Sequence, residues 1–191
     1  MSELVKVEAL TAAELLQHFE LVEEGAEQCI VADTAPEVSI DRLAQAGLFL
    51  DAIKLLAHGL PKRIAVWWAC LASRAAQTPD TDEVNVNALL AAEAWAKNPT
   101  EENRLRCKAF GEASKHQTAA GWVATAAAWC TGSMAAEGEP EIPPPEHLYA
   151  HAVAGSICLA ASQDDPDNAQ EKYAYFLQQG LDLARGGNGQ V

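Results

Sequence analysis

Leu60-Pro61-Lys62-Arg63-Ile64-Ala65-Val66-Trp67-Trp68-Ala69-Cys70-Leu71-Ala72-Ser73-Arg74-Ala75-Ala76-Gln77 is the most apolar segment of the chain, and its reading decides the fold class. Pro61 suits the first turn of a helix, where its missing N–H is an orphan anyway. On such a helix the adjacent Trp67 and Trp68 lie roughly 100° apart, so the helix needs neighbours on two sides. That is the position of a helix in the middle of a bundle.

The rest of the sequence agrees with this. Of 191 residues 38 are alanine, the strongest helix former and a poor sheet residue. The fold class expected is all-α, a single-domain bundle or array of about eight helices over residues 1–191 with no significant sheet. Residues 1–10 and 188–191 read as flexible ends, and 132–145, with its prolines and glycines, as a semi-rigid loop. Thr11-Ala-Ala-Glu14 is a capping box opening a helix over 12–31, whose Leu15, Leu16, Phe19, Val22, Ala26 and Ile30 form one apolar stripe. Ser39 is placed as the cap of a second helix running through Leu43, Leu50 and Leu56 to a stop at Gly59. After the Trp-bearing helix, further helices are expected over 83–97, 99–116 (with Asn98-Pro99 as cap and first turn), 118–131, 145–162 and 168–185. Asp164-Asp165-Pro166-Asp167 reads as a turn. Trp122 and Trp129, seven apart, share one helix face. Gly186-Gly187 reads as a helix stop and not as the conjugation tail of a ubiquitin-like protein, which is a sheet-bearing domain.

Net charge is −14 and strongly segmented: residues 1–41 carry −9, 42–136 carry +2, 137–171 carry −8 and 172–191 carry +1. Two acidic blocks repel phosphate backbones and anionic lipid, so nucleic acid is excluded as a partner. The uncharged run Gln117–Ala136 is too polar for a spanning helix, which argues against membrane insertion. The bland account of the acidic blocks is a solvated surface; the functional one is a protein partner with a basic surface. Cys29, Cys70, Cys107, Cys130 and Cys158 are isolated, contain no CxxC and sit among apolar neighbours, which suits buried reduced thiols. MSELVKVEAL lacks the basic and apolar regions of a signal peptide, so the expected compartment is cytoplasmic.

No phosphate loop, GxGxxG or GxSxG occurs, and no cofactor and no catalytic residue is expected. His147 and His151, four apart, are the candidate metal ligands, but no third donor stands at recognisable spacing. Lys62 and Arg63 open the Trp-bearing helix at the end its dipole disfavours for cations, so each should have a charged mate. Acids of the first helix or the 137–146 loop would serve; the functional reading is an anion held beside the Trp face. Lys62, Arg63, Trp67 and Trp68 are therefore the candidate interaction residues, because interfaces favour Trp and Arg anchors.

Read together, Leu60-Pro61-Lys62-Arg63 with Ala65-Val66-Trp67-Trp68-Ala69-Cys70, the GWVATAAAWCTGSMA run at 121–135, the proline-rich 140–145 segment, Ala152-Val153-Ala154-Gly155 and Gly180-Leu-Asp-Leu-Ala-Arg-Gly-Gly187 carry a resemblance. Over most of residues 40–187 the chain resembles an uncharacterised all-helical bacterial family. Its members have no assigned activity and are sometimes encoded near type VI secretion genes. The resemblance implies an accessory role in such a system and offers no catalytic residues. The first expectation is thus a non-enzymatic protein-interaction or accessory protein, with a homo-oligomer left open. The rival is a small-molecule-binding or metal-dependent enzyme with a pocket near Trp67, Trp122, His147 and His151.

Overall fold

A computed structural model describes residues 4–136, 138–162 and 166–191. Among the described residues the secondary structure is all helical, with no strand. The elements are α1 (Ala12–Leu15), a 3-10 turn (Ala26–Cys29), α2 (Pro36–Gln45), α3 (Phe49–Gly59), α4 (Lys62–Ala75), α5 (Glu83–Lys97), α6 (Glu101–Ala113), α7 (Ala119–Ala128), α8 (Leu148–Ser162), a 3-10 turn (Pro166–Asn168) and α9 (Ala169–Ala184). The chain divides into two compact units, one made of Met1–Pro61 with Ala161–Val191, the other of Lys62–Ala160.

In the first unit α3 packs against α2 and α9 and carries α1. Ile40, Leu43, Ile53, Leu56 and Leu177 are fully buried there. The apolar periodicity of 12–31 does not become one helix. The capping box forms, with Thr11 Oγ1 accepting from the Glu14 N–H and the Glu14 carboxylate accepting from the Leu10 N–H. The helix then stops at Leu15, and the chain loops to Gly25, whose φ of +84° ends any helical path. Between them, Phe19 stacks on His58 at 4.5 Å, so part of a stripe spaced for a helix (Leu15, Phe19 and Ala26) is buried without one, while Val22 stands exposed.

The second expected helix is likewise two. Gly47, at φ +76°, follows α2 in a Schellman motif, with Leu48 N–H bonded to Leu43 O and Gly47 N–H to Ala44 O. Ser39 is not a cap: it sits buried inside α2, where its Oγ accepts from the Val31 N–H. At the other end of this unit Gly186, at φ +93°, and Gly187 terminate α9 by the same two bonds, to Leu183 O and Asp182 O. The tail is tied down beyond it, since Gly189 N–H donates to Asp182 Oδ2 at 2.8 Å. Nor is the start loose from residue 4 onward, for Leu4 is buried and the Lys6 N–H reaches Ala184 O at 2.9 Å. The expected turn at Asp164–Asp167 falls partly outside the described residues, whose next element is the Pro166–Asn168 turn.

In the second unit α7 packs against α4, α5 and α6. Every residue of α7 except Trp122 is buried. Alanine and glycine make the close approach possible: Gly111 on α6 faces the Thr125 hydroxyl, and Gly121 on α7 faces the Ser114 hydroxyl, where a Cβ would collide. Side chains cap three of the helix starts, Asp82 on the Asn85 N–H, Thr100 on the Asn103 N–H and Thr118 on the Gly121 N–H. Thr100, not Asn98, opens α6; Asn98 ends α5, its N–H bonded to Ala94 O. Trp122 and Trp129 do share a face, edge to ring at 6.2 Å.

Candidate functional site

Lys62 and Arg63 are not waiting for a partner. The antiparallel course of neighbouring helices puts the start of α4 beside the ends of α5 and α7, where backbone carbonyls lack intrahelical donors. Arg63 donates through Nε to Ala96 O and through Nη2 to Lys97 O, closing α5. Lys62 Nζ donates to Cys130 O at 2.9 Å, just past α7, and lies 5.7 Å from the Tyr149 ring centroid. The mates of these cations are carbonyls, not the acids the sequence suggested. Trp68 is fully enclosed in the core, so it offers no surface to a partner, while Trp67 is half-buried. His147 is half-buried ahead of α8 and His151 is exposed on it. Among the described residues no three His, Cys, Asp or Glu side chains gather to hold a metal ion.

A different arrangement stands at the end of α7. Arg104, with its side chain 4% exposed, donates through Nη1 to Ala128 O at 3.2 Å and Ser133 O at 3.3 Å. Its other edge grips Glu101 through two bonds of 2.6 Å, which hold the Glu101 carboxyl below its ordinary pKa. Gly132 passes close against the guanidinium at φ +71°; a Cβ there would strike Arg104 Nε, so glycine is required on both counts. Lys108, one turn along α6, donates to Met134 O at 3.3 Å and Ala135 O at 2.8 Å. Three cations thus gather the carbonyls that leave α7.

These contacts fasten the base of the proline-rich loop. Ser133 Oγ accepts from Ala135 N–H at 3.1 Å and Ile142 N–H at 3.0 Å, and Met134 N–H donates to Ile142 O at 2.8 Å. The base of the loop is pinned while described side chains along it face solvent: Ile142 is 57% exposed, Met134 38%, and Pro140, Pro143 and Pro145 are exposed with Glu139, Glu141 and Glu146 among them.

Beside the loop lies a cleft of about 170 Å³ lined by Arg104, Lys108, Glu112, His116, Thr125, Ala128, Trp129, Ser133 and Met134. Trp67, Trp122, His147 and His151, around which the sequence places the rival pocket, are not part of this lining. Arg104, Lys108, Glu112 and His116 recur every four residues, and that spacing is the one sequence signal that could have found the site. His116 lies past the end of α6, and with Lys115 it holds left-handed backbone, φ +54° and +55°, which costs a residue with a Cβ roughly 1 kcal/mol or more. Its Nδ1 is 2.8 Å from Thr125 Oγ1 and its ring lies 5.5 Å from Trp122. Strain of this kind concentrates at functional sites.

The profile of a family of unknown function, DUF6931, matches residues 39–184. The chain belongs to this family. The DUF6931 match runs from within α2 to the last residue of α9, so the Arg104 and Lys108 contacts, the loop and the cleft all fall inside it. The segment that carries α1 and the Ala26–Cys29 turn lies outside. No curated protein and no solved structure matches the chain.

Proposed function

We propose that this DUF6931 chain is a non-enzymatic interaction or accessory protein that recognises a basic protein surface through the 133–146 loop. The observation that carries the reading is a loop whose backbone is pinned at Ser133, Met134 and Ile142 while Ile142 and three prolines stand in solvent. A segment already held in one conformation loses little entropy on binding, and apolar tips ringed by Glu139, Glu141 and Glu146 suit a partner that is apolar at its centre and cationic at its rim. The resemblance to a family with members near type VI secretion genes supports an accessory role in such a machine. The buried thiols Cys70, Cys107 and Cys130 support a cytoplasmic setting. Among the described residues no helix is long and apolar enough to cross a membrane.

The test is crosslinking affinity purification from the native host, run in parallel with the Ile142→Glu and Met134→Glu variants. The reading expects a partner recovered with the natural chain and lost, with unchanged melting temperature, from both variants. Recovery that is indifferent to both substitutions removes the loop as the recognition element.

A further inference from the structure

A lysine and a glutamate four apart on a helix ordinarily pair with each other. Lys108 and Glu112 do not. Lys108 Nζ is drawn to the Met134 and Ala135 carbonyls, and the Glu112 carboxylate makes no hydrogen bond or ion pair with any described residue. Both charges therefore line the same cleft, one helical turn apart, with neither satisfied by the other. Lys108 keeps a third N–H. Ser133 Oγ accepts two backbone N–H groups, so its own proton is available to donate. Trp129 and Met134 supply an apolar wall.

The remaining cation does not disturb this balance, because Arg104 is occupied by Glu101 and two carbonyls. A simple anion such as phosphate would meet Lys108 but also the Glu112 carboxylate. A simple cation would meet the reverse. A molecule bearing both charges a few ångströms apart satisfies both. The volume of about 170 Å³ is worth five or six waters, the size of a free amino acid.

We propose that the cleft between α6 and the end of α7 is a binding site for a free α-amino acid. Lys108 and Ser133 receive the carboxylate, Glu112 the ammonium, and Trp129 and Met134 the side chain. His116, held by Thr125, closes the Glu112 side. This site shares Ser133 and Met134 with the base of the loop, but titration with free amino acids involves no protein partner and Ile142→Glu leaves the cleft lining untouched, so either proposal can fail alone.

Isothermal titration of the full chain with the apolar L-amino acids leucine, methionine and phenylalanine tests it, alongside 4-methylpentanoate, which is leucine without the ammonium, and isoamylamine, which is leucine without the carboxylate. At least one amino acid should bind, with each single-charge analogue of leucine about tenfold weaker or more than leucine itself, the worth of one charge-assisted hydrogen bond. Glu112→Gln, at an exposed residue, should leave the melting temperature unchanged and erase the preference for leucine over 4-methylpentanoate. The proposal is overturned by the absence of heat from all three amino acids at concentrations on the order of millimolar. Equal binding of leucine and 4-methylpentanoate, or a Glu112→Gln protein that discriminates as before, overturns it equally.

Discussion

Both units tie down unpaired backbone groups with charged side chains from distant residues, and the sign of the charge that dominates differs between them. In the first unit the groups are N–H donors and the answer is carboxylate. Asp51, fully buried in the first turn of α3, accepts from the Val22 N–H at 3.0 Å and the Glu23 N–H at 2.8 Å, and Glu23 in return accepts from the Asp51 N–H at 2.9 Å. Lys54 sits 3.9 Å from Asp51, donates to Glu20 O and lies over the Phe19 ring. In the second unit the groups are carbonyls, and Lys62, Arg63, Arg104 and Lys108 supply the donors. The Asp51 N–H belongs to a helix start and the Ala96, Lys97 and Ala128 carbonyls to helix ends, where anions and cations respectively are favoured; the other groups lie in loops that the charged side chains hold in place. Part of the charge segmentation that reads as solvated surface is the binding of backbone groups by distant residues.

The largest effect expected from breaking this contrast is at Asp51. Asp51→Ala leaves the Val22 and Glu23 amides without acceptors in a partly buried place and should cost about 3 kcal/mol or more in urea denaturation. Asp51→Asn, which keeps one oxygen, should fall between. A loss under about 1 kcal/mol would show that the 16–25 segment is held by its apolar contacts alone. Next comes Arg104→Met, which orphans the Ala128 and Ser133 carbonyls but leaves Glu101 exposed and solvated, for about 2 kcal/mol. Limited proteolysis should then find the 133–146 loop cut faster than in the natural chain.

The smallest effect is also the most direct comparison of the two units. Burial lifts the Glu23 carboxyl above its ordinary 4.5, with the Asp51 charge adding to the lift. The folded state then holds the proton better than the unfolded one, so this contribution is full below pH 4.5 and is lost as pH rises through the raised value. Glu101, held low by its bonds from Arg104, contributes in the opposite sense: fully above its ordinary 4.5, and lost as pH falls through the lowered value. Urea midpoints of Glu23→Gln and Glu101→Gln across about pH 3 to 6, each referred to the natural chain, should differ in the sign of their slopes. Parallel curves would mean that one of the two carboxyls is not in the environment described.

What was legible in the sequence was what is local. Gly186-Gly187 stops α9 because a left-handed glycine after a helix needs nothing from elsewhere, and α7 follows from a run of alanine with Trp122 and Trp129 on one face. The 12–31 region differs because only some of the residues its periodicity marks are buried, Leu15, Phe19 and Ala26 but not Val22, and periodicity does not say by what backbone; Gly25 and the distant Asp51 decide that. Lys62 and Arg63 looked misplaced at a helix start, and they were, until α5 and α7 brought carbonyls to them. His116 and Glu112 were missed for a related reason. Their four-residue spacing from Lys108 is visible, but a polar stripe becomes a cleft only when the end of another helix arrives opposite.

The seam between α6 and α7 has a further consequence for sequence drift. Gly111 and Gly121 each leave the room that a neighbouring hydroxyl fills, so the information at these positions lies in the absence of a side chain. Alanine, the commonest residue of this chain and its safest substitution on most helix faces, is the one-step change both positions cannot absorb without prying the helices apart. Change at Gly111 is therefore tied to change at Thr125, and at Gly121 to Ser114. Variation at this seam has to proceed in pairs.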